Sequence, residues 1–202
     1  MAFPDAWEET AFVEIQEFGG SAIQFGAITD TIDINEGDVP GEGQPTLAGG
    51  RIWKQSPQED GEITLEIYPV ELDTTSGVGL FQHYAGGTWD TEEPLITDTD
   101  WPASTSRTRD QFRIVVLWTN DASATTASGA TSASTDSIRF AAMGCRMTSH
   151  KASFTDGILK ITATFKWPAF NKAGTVKMSR WDSGDQTAIE ALSTYDDADS
   201  WS

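Results

Sequence analysis

The clearest hydrophobic pattern in this chain lies in Arg139–Phe170, RFAAMGCRMTSHKASFTDGILKITATFKWPAF. After Thr155-Asp156-Gly157, the residues Leu159, Ile161, Ala163, Phe165 and Trp167 alternate with Lys160, Thr162, Thr164 and Lys166. A period of two assigns each set to one face of a β-strand, so one face packs and the other meets water or a partner. Asp-Gly supplies the positive φ that a hairpin turn needs. A strand of small residues, Ala141, Ala142, Gly144 and Cys145, precedes it. The pattern predicts an antiparallel hairpin within a β-rich domain.

The same reading extends along the chain. Residues 12–28 show short alternations broken by Gly19-Gly20, predicting two short strands or a hairpin. Residues 29–50 hold acidic and turn-forming positions with Pro40 and Pro45, predicting a long loop or an extended flap with a short strand at 31–34. Loops longer than about 12–15 residues are usually functional or disordered, and an oligomer could order this one against a neighbour. Arg51–Lys54 reads as a strand. In 62–72, Ile63, Leu65 and Ile67 alternate with Glu62, Thr64 and Glu66, and Pro69 marks the end. One short helix is expected over 77–86, with Thr75 or Ser76 as N-cap and Gly86-Gly87 as stop. An acid-rich connection (88–109) leads to a strand at 111–119 that is apolar on both faces. Ala, Ser and Thr dominate 120–137, which predicts a mobile loop because it offers little apolar surface to bury. A last strand is expected at 175–181, then an acidic tail, 182–202, with a short helix near 186–192. The whole, 1–202, reads as a single domain.

Charge changes this picture. The net charge of −18 excludes a general nucleic-acid-binding surface, which needs clustered Lys and Arg. Residues 1–100 hold 21 acids but only Arg51 and Lys54 as bases, whereas 101–180 are net basic. Either the acids form a solvated surface, or an acidic face of one subunit meets a basic face of the next. Thirty-one acids against 13 bases also suit very high salt, where the Debye length falls to about 3 Å at 1 M; a halophilic source is therefore expected. The single Cys145 excludes an internal disulfide and reads as a buried thiol. The start, MAFPDAWEETAF, has neither a basic head nor an apolar core, so no signal peptide is expected, and no apolar run approaches the roughly 18 residues of a membrane span.

Catalytic chemistry is sparse. His83 and His150 have no nucleophile beside them in any known spacing, and no GxSxG elbow occurs. One Cys and two distant His cannot build a structural zinc site. Asp33-Ile34-Asn35-Glu36-Gly37-Asp38 resembles part of a calcium loop, but its glycine comes one position early and Gln44 stands where a closing Glu would be. Eight tryptophans serve either as core and interface anchors or as a sugar-stacking platform. A non-enzyme without cofactor or metal is expected.

Several segments resemble tail tube proteins of siphovirus-like tailed viruses. They are the hairpin at 139–167, with its GC-R-x-T-S first strand; EITLEIYPV at 62–70; GVGLFQHYAG at 77–86; the flap at 29–50 ending in Gly49-Gly50-Arg51; and the Ala/Ser/Thr stretch at 120–137. The resemblance implies two antiparallel sheets packed as a sandwich or barrel, with one flanking helix and long loops. It implies six-subunit rings stacked into a tube, a virion tail component made in the host cytoplasm. Its partners would be further copies of itself and the tape-measure, terminator and tip proteins, and genome DNA would pass through without specific binding. Glu62, Thr64 and Glu66 are then expected to face the lumen, with the lysine row Lys160 and Lys166 meeting acids on a neighbour or locally. Glu36, Asp38 and Glu42 of the flap are expected at the contact between rings. A carbohydrate-binding or adhesin-like β-sandwich and a bacterial secretion-system tube are the alternatives.

Overall fold

The computed structural model describes residues 11–20, 22–25, 28–67, 111–155, 158–197 and 200–201. The helix expected over 77–86 and the connection at 88–109 lie outside these residues. Among the described residues ten strands run in chain order: β1 (Ala11–Glu17), β2 (Ala22–Phe25), β3 (Ile28–Asn35), β4 (Gly41–Pro45), β5 (Arg51–Gln55), β6 (Gly61–Ile67), β7 (Phe112–Thr119), β8 (Asp136–Thr155), β9 (Ile158–Trp167) and β10 (Ser179–Asp185). All pairings are antiparallel. The order is β2-β1-β7-β8-β9-β6-β3, with β10 also on β8, and β4-β5 stands apart as a two-stranded ribbon.

The 20-residue strand β8 belongs to two sheets. Its first half, from Asp136 to Cys145, bonds β7, and part of it bonds β10 as well; its second half, from Arg146, bonds β9. Between them Gly144 has φ 69°, and the β8–β9 register shifts between Met147 and Ser149. A left-handed residue next to a bulge bends a strand and sharpens its twist. The bend folds the second sheet, β8-β9-β6-β3, over the first, β2-β1-β7-β8-β10. Val13, Ile15, Ile114, Val116, Phe140 and Ala142 from the first sheet and Ile63, Leu65, Ala163, Phe165 and Trp167 from the second form one buried cluster. Phe112 meets Phe165 edge-on at 5.9 Å between centroids, and Phe140 meets Trp167 at 5.6 Å. The expected pair of packed antiparallel sheets is the observed fold. The alternation in β6 and β9 places Ile63, Leu65, Ala163, Phe165 and Trp167 inward as read.

Four expectations change. The segment 29–50 is strand rather than loop over most of its length. The final strand begins at Ser179, not at 175, because Asn171 Oδ1 accepts the amides of Thr175 (2.8 Å) and Val176 (3.2 Å) and holds 171–176 as a turn. No helix forms at 186–192. There the Ile189 amide donates to Thr131 Oγ1 (3.0 Å) and the Leu192 amide to the Ser128 carbonyl (2.8 Å), so the segment runs as an extended strap.

The stretch 120–137 is no loose loop either. Asp121 accepts from Ser123 and Ser132, and Ser128 donates to Glu14. The buried Arg139 guanidinium donates to the carbonyls of Gly129 and Glu190 and to Asp182 at 3.0 Å. Arg113 donates to Ser193 O and Gln16 Oε1, both at 2.6 Å. These two arginines fasten the loop and the strap over the outer face of the first sheet, closing a second small core of Val115, Leu117, Ala127 and Ala141.

Gly144→Ala should cost about 2 kcal/mol, because an L side chain at that φ is strained and its Cβ would lie 2.7 Å from Met178 Cε. The check is a drop in thermal midpoint with an unchanged far-ultraviolet β signature.

Candidate functional site

Two surfaces stand out, the solvent face of the second sheet and the ribbon that projects from it. The face is set by register. Glu62 lies opposite Lys166, Thr64 opposite Thr164, and Glu66 opposite Thr162. Directly paired residues share a face of the sheet, so the acidic row and the lysine row lie side by side. Lys166 Nζ sits 2.8 Å from Glu62 Oε2, Lys160 Nζ 2.5 Å from Glu66 Oε2, and the hydroxyls of Thr64 and Thr164 are 3.2 Å apart. Glu62 holds the Lys166 ammonium above its ordinary pKa. The lysines were expected to meet acids on a neighbour or locally; within the chain they pair locally, and the two rows form a single charge-matched ladder. Such half-exposed pairs add little net stability. Their effect is to cancel the local field.

The outer strands of this sheet extend the pattern. Asp33 of β3 is opposite Thr64, while Arg146 of β8 is opposite Lys166 and Lys151 is opposite Thr162. The face therefore grades from acid on β3 and β6 to base on β9 and β8. Among the described strands β3 bonds only β6, and residues 146–155 of β8 bond only β9. His150 lies between these basic residues and pairs across to the buried Ala163, on the core side; burial lowers its pKa to about 4, so it is neutral at pH 7.

The ribbon is the continuation of the β3–β6 hairpin. Beyond Asn35 and Gly61 the two chains stay joined through Glu59 N to Asp38 O (2.9 Å) and Ser56 N to Pro40 O (2.8 Å), then pair again as β4 and β5. Gln58 Nε2 donates to the carbonyl of Glu36. Every residue of β5 is exposed, and Val39, Leu47, Ile52 and Trp53 are apolar side chains left in water. An isolated two-stranded hairpin is marginal in water, so this arm has the composition of an element that waits for a partner.

Of the three flap acids expected at a contact, Asp38 and Glu42 are exposed on the arm, while Glu36 is engaged within the chain. Its carboxylate accepts from Lys177 Nζ (3.1 Å), Ser179 Oγ (2.8 Å) and Trp181 Nε1 (3.2 Å). This pins the root of the arm to β10. It also takes Glu36 out of the calcium-like string, whose Asn35 Oδ1 instead accepts the Gly37 amide. Among the described residues no group of three or more His, Cys, Asp or Glu is placed to hold a metal ion. Sequence reasoning missed the Glu36 node, because its partners lie about 140 residues away. It also missed the arm's apolar side, where Trp53 stands opposite Gly43 in the β4–β5 ladder.

No family model and no curated relative matches this sequence. Among solved structures, the chain is similar to a chain of the sheath/tube terminator of an extracellular contractile injection system, PVC, at 12% identity and TM-score 0.47, covering 84% of this chain and 92% of that one. It is similar to a chain of the anti-feeding prophage baseplate at 11% identity and TM-score 0.48, covering 90% and 97%. It is also similar to the Hcp1 protein from the E. coli EAEC 042 pathovar, at 8% identity and TM-score 0.41, covering 90% and 98%.

Burial raises the Glu36 pKa, but the donors Ser179, Lys177 and Trp181 outweigh it and leave the carboxyl below its ordinary 4.5. A depressed carboxyl contributes stability that is present above the unfolded value and is lost as pH falls through the folded one. Glu36→Gln should therefore lower stability near neutral pH by about 1 kcal/mol, allowing for partial exposure, and flatten the acid limb below pH 4.5. Melting curves between pH 3 and 7 check both; a parallel shift at every pH would contradict the assignment.

Proposed function

We propose that this chain is the repeating subunit of a tube, in which copies join side by side through the second sheet and rings stack through the arm. The observation that carries the reading is the second sheet itself, a four-stranded face that no further described strand extends at either margin, acidic at one and basic at the other. An open strand edge is a template for another strand. Two different edges of opposite charge make a head-to-tail contact, which generates rings when the rotation closes. The reading names a hexameric ring, stacked copies forming a viral tail tube, and contacts at its ends with tape-measure, terminator and tip proteins. The role is mechanical, a conduit for the genome, and no residue is assigned a catalytic part. Glu62, Thr64 and Glu66 face the lumen together with Lys160 and Lys166, so the wall is a neutral ladder in place of an acidic one. A lysine already held by a glutamate has less to offer a phosphate, and DNA slides past with few counterions released.

The acidity belongs to the same proposal. A ring multiplies a charge of −18, and at 0.01 M salt repulsion reaches about 30 Å. Assembly in a salt-rich setting removes that penalty. Purified protein in 0.1–3 M KCl, followed by sedimentation and negative-stain microscopy, should show rings and tubes growing with salt and a thermal midpoint that rises with it. A monodisperse subunit at every salt concentration would overturn the tube, and a flat melting series the salt-adapted source.

The edge contact has its own check. Lys151→Glu should suppress assembly in moderate salt, and adding Asp33→Lys should restore part of it. Restoration fails if these margins do not meet.

A further inference from the structure

The exposed face of the arm has a built centre. Trp53 lies opposite Gly43 in the β4–β5 ladder, with Gly41 and Arg51 on the same face. A Cβ at Gly41 would stand 2.6–2.8 Å from the Trp53 ring atoms Cζ2, Cε2 and Nε1, and one at Gly43 would touch Cε3 and Cζ3 at 3.6 Å. The indole therefore lies flat across the bare backbone of β4. Its other face is open, leaving the residue 66% exposed. The Arg51 stem lies beside it, its Cδ 3.7 Å from the same Gly43 position. Ile52 at 63% and Leu47 are exposed on the same ribbon. Two glycines in one strand forgo packing and chain stiffness; the space they leave is filled by one aromatic ring.

We infer that Trp53 is the anchor of the arm, a rigid aromatic platform flanked by Arg51 that seats on an acid-rimmed apolar surface of a second copy of this chain. The inference rests on the tube reading and adds to it the residue that carries the arm contact and the chemistry of its seat. Charge selects the occupant. Arg51 and Lys54, both on the arm, are the only bases among the first 100 residues, in a chain with 31 acids. Glu42 lies opposite Lys54 on the other face of the ribbon, which leaves Arg51 as the one charge that β4 and β5 carry on the Trp53 face; a cationic face on a chain of net charge −18 is complementary to the molecule itself. Trp and Arg are also the residue types that dominate interface energies when water is excluded around them. Gly41 and Gly43 are positioning residues that act through the indole.

The test uses the full chain and measures the critical concentration for assembly by sedimentation, beside the melting temperature of the unassembled subunit. Trp53→Ala should raise the critical concentration at least tenfold, and Trp53→Phe by less. Gly41→Ala, whose backbone conformation is open to any residue, should reproduce much of the loss by lifting the ring while keeping it. Melting of the free subunit should stay unchanged in all three, because the arm stands outside the core. In the wild type, indole fluorescence should shift to the blue on assembly, and Trp53→Ala should lose that shift. If wild-type protein assembles and Trp53→Ala and Gly41→Ala assemble at the same concentration, the anchor assignment is overturned and the tube stands. If the wild type never assembles, the tube reading falls, and the assignment of a second copy falls with it.

Discussion

The bend in β8 is the constraint on which the rest of the molecule depends. One strand belongs to both sheets, so the angle at Gly144 and the shifted register after Met147 decide how the sheets face one another. That angle brings Phe165 and Trp167 against Phe112 and Phe140 and closes the core. The bend is locked from outside. Tyr195, arriving on the C-terminal strap, accepts the Gly144 amide at 2.9 Å through its buried hydroxyl. A backbone donor freed by the kink thus finds its partner 51 residues away, as a buried amide must.

The first sheet is finished by polar chemistry more than by apolar area. Arg113 and Arg139 are almost wholly buried, and each spends its donors on carbonyl oxygens of the covering segments. Burial lowers the pKa of both, opposed by Glu14 at Arg113 and by Asp182 at Arg139. A guanidinium titrates so far above neutrality that both stay charged. A buried arginine without its acceptors would be costly, so the loop at 120–137 and the strap at 186–195 hold their places together. This is how a stretch of Ala, Ser and Thr becomes ordered: Arg139 grips its backbone at Gly129, while Ser128 donates to Glu14 and Thr131 accepts the Ile189 amide.

Charge is managed at three levels. Over the whole chain it is left uncompensated at −18. On the second sheet it is matched rung by rung between β6 and β9, yet graded from one margin to the other. On the Trp53 face of the ribbon it reverses sign locally, where Arg51 is the one charge of β4 and β5. A molecule that repels its copies at long range and offers them complementary margins at short range associates according to ionic strength, since screening removes the first effect sooner than the second.

The strands of the core were legible in the sequence. A period of two in 62–67 and 158–167, an unbroken apolar run in 112–119 and turn residues at Gly19-Gly20 and Asp156-Gly157 are local signals, and local sterics alone convert them into β-structure. The same alternation named Glu62, Thr64 and Glu66 as one polar row and Lys160 and Lys166 as another. It left open whether the lysines meet acids locally or on a neighbour, because strand adjacency and register are set by the packing of distant segments, and a shift of one residue would have turned either row inward. The segment 29–50 was read as a loop or an extended flap with one short strand, and its second strand was missed for a related reason: Gly, Glu and Pro at 41–45 carry turn propensity, and only pairing with 51–55 makes them a strand. Glu36, Arg139 and the strap were invisible in the sequence because their partners lie tens to more than a hundred residues away. The chain by itself determined the strands of the core and which side of each is apolar. Tertiary structure decided which polar sides meet, which charges cancel and which edges stay open, because those depend on contacts between residues that no local pattern links.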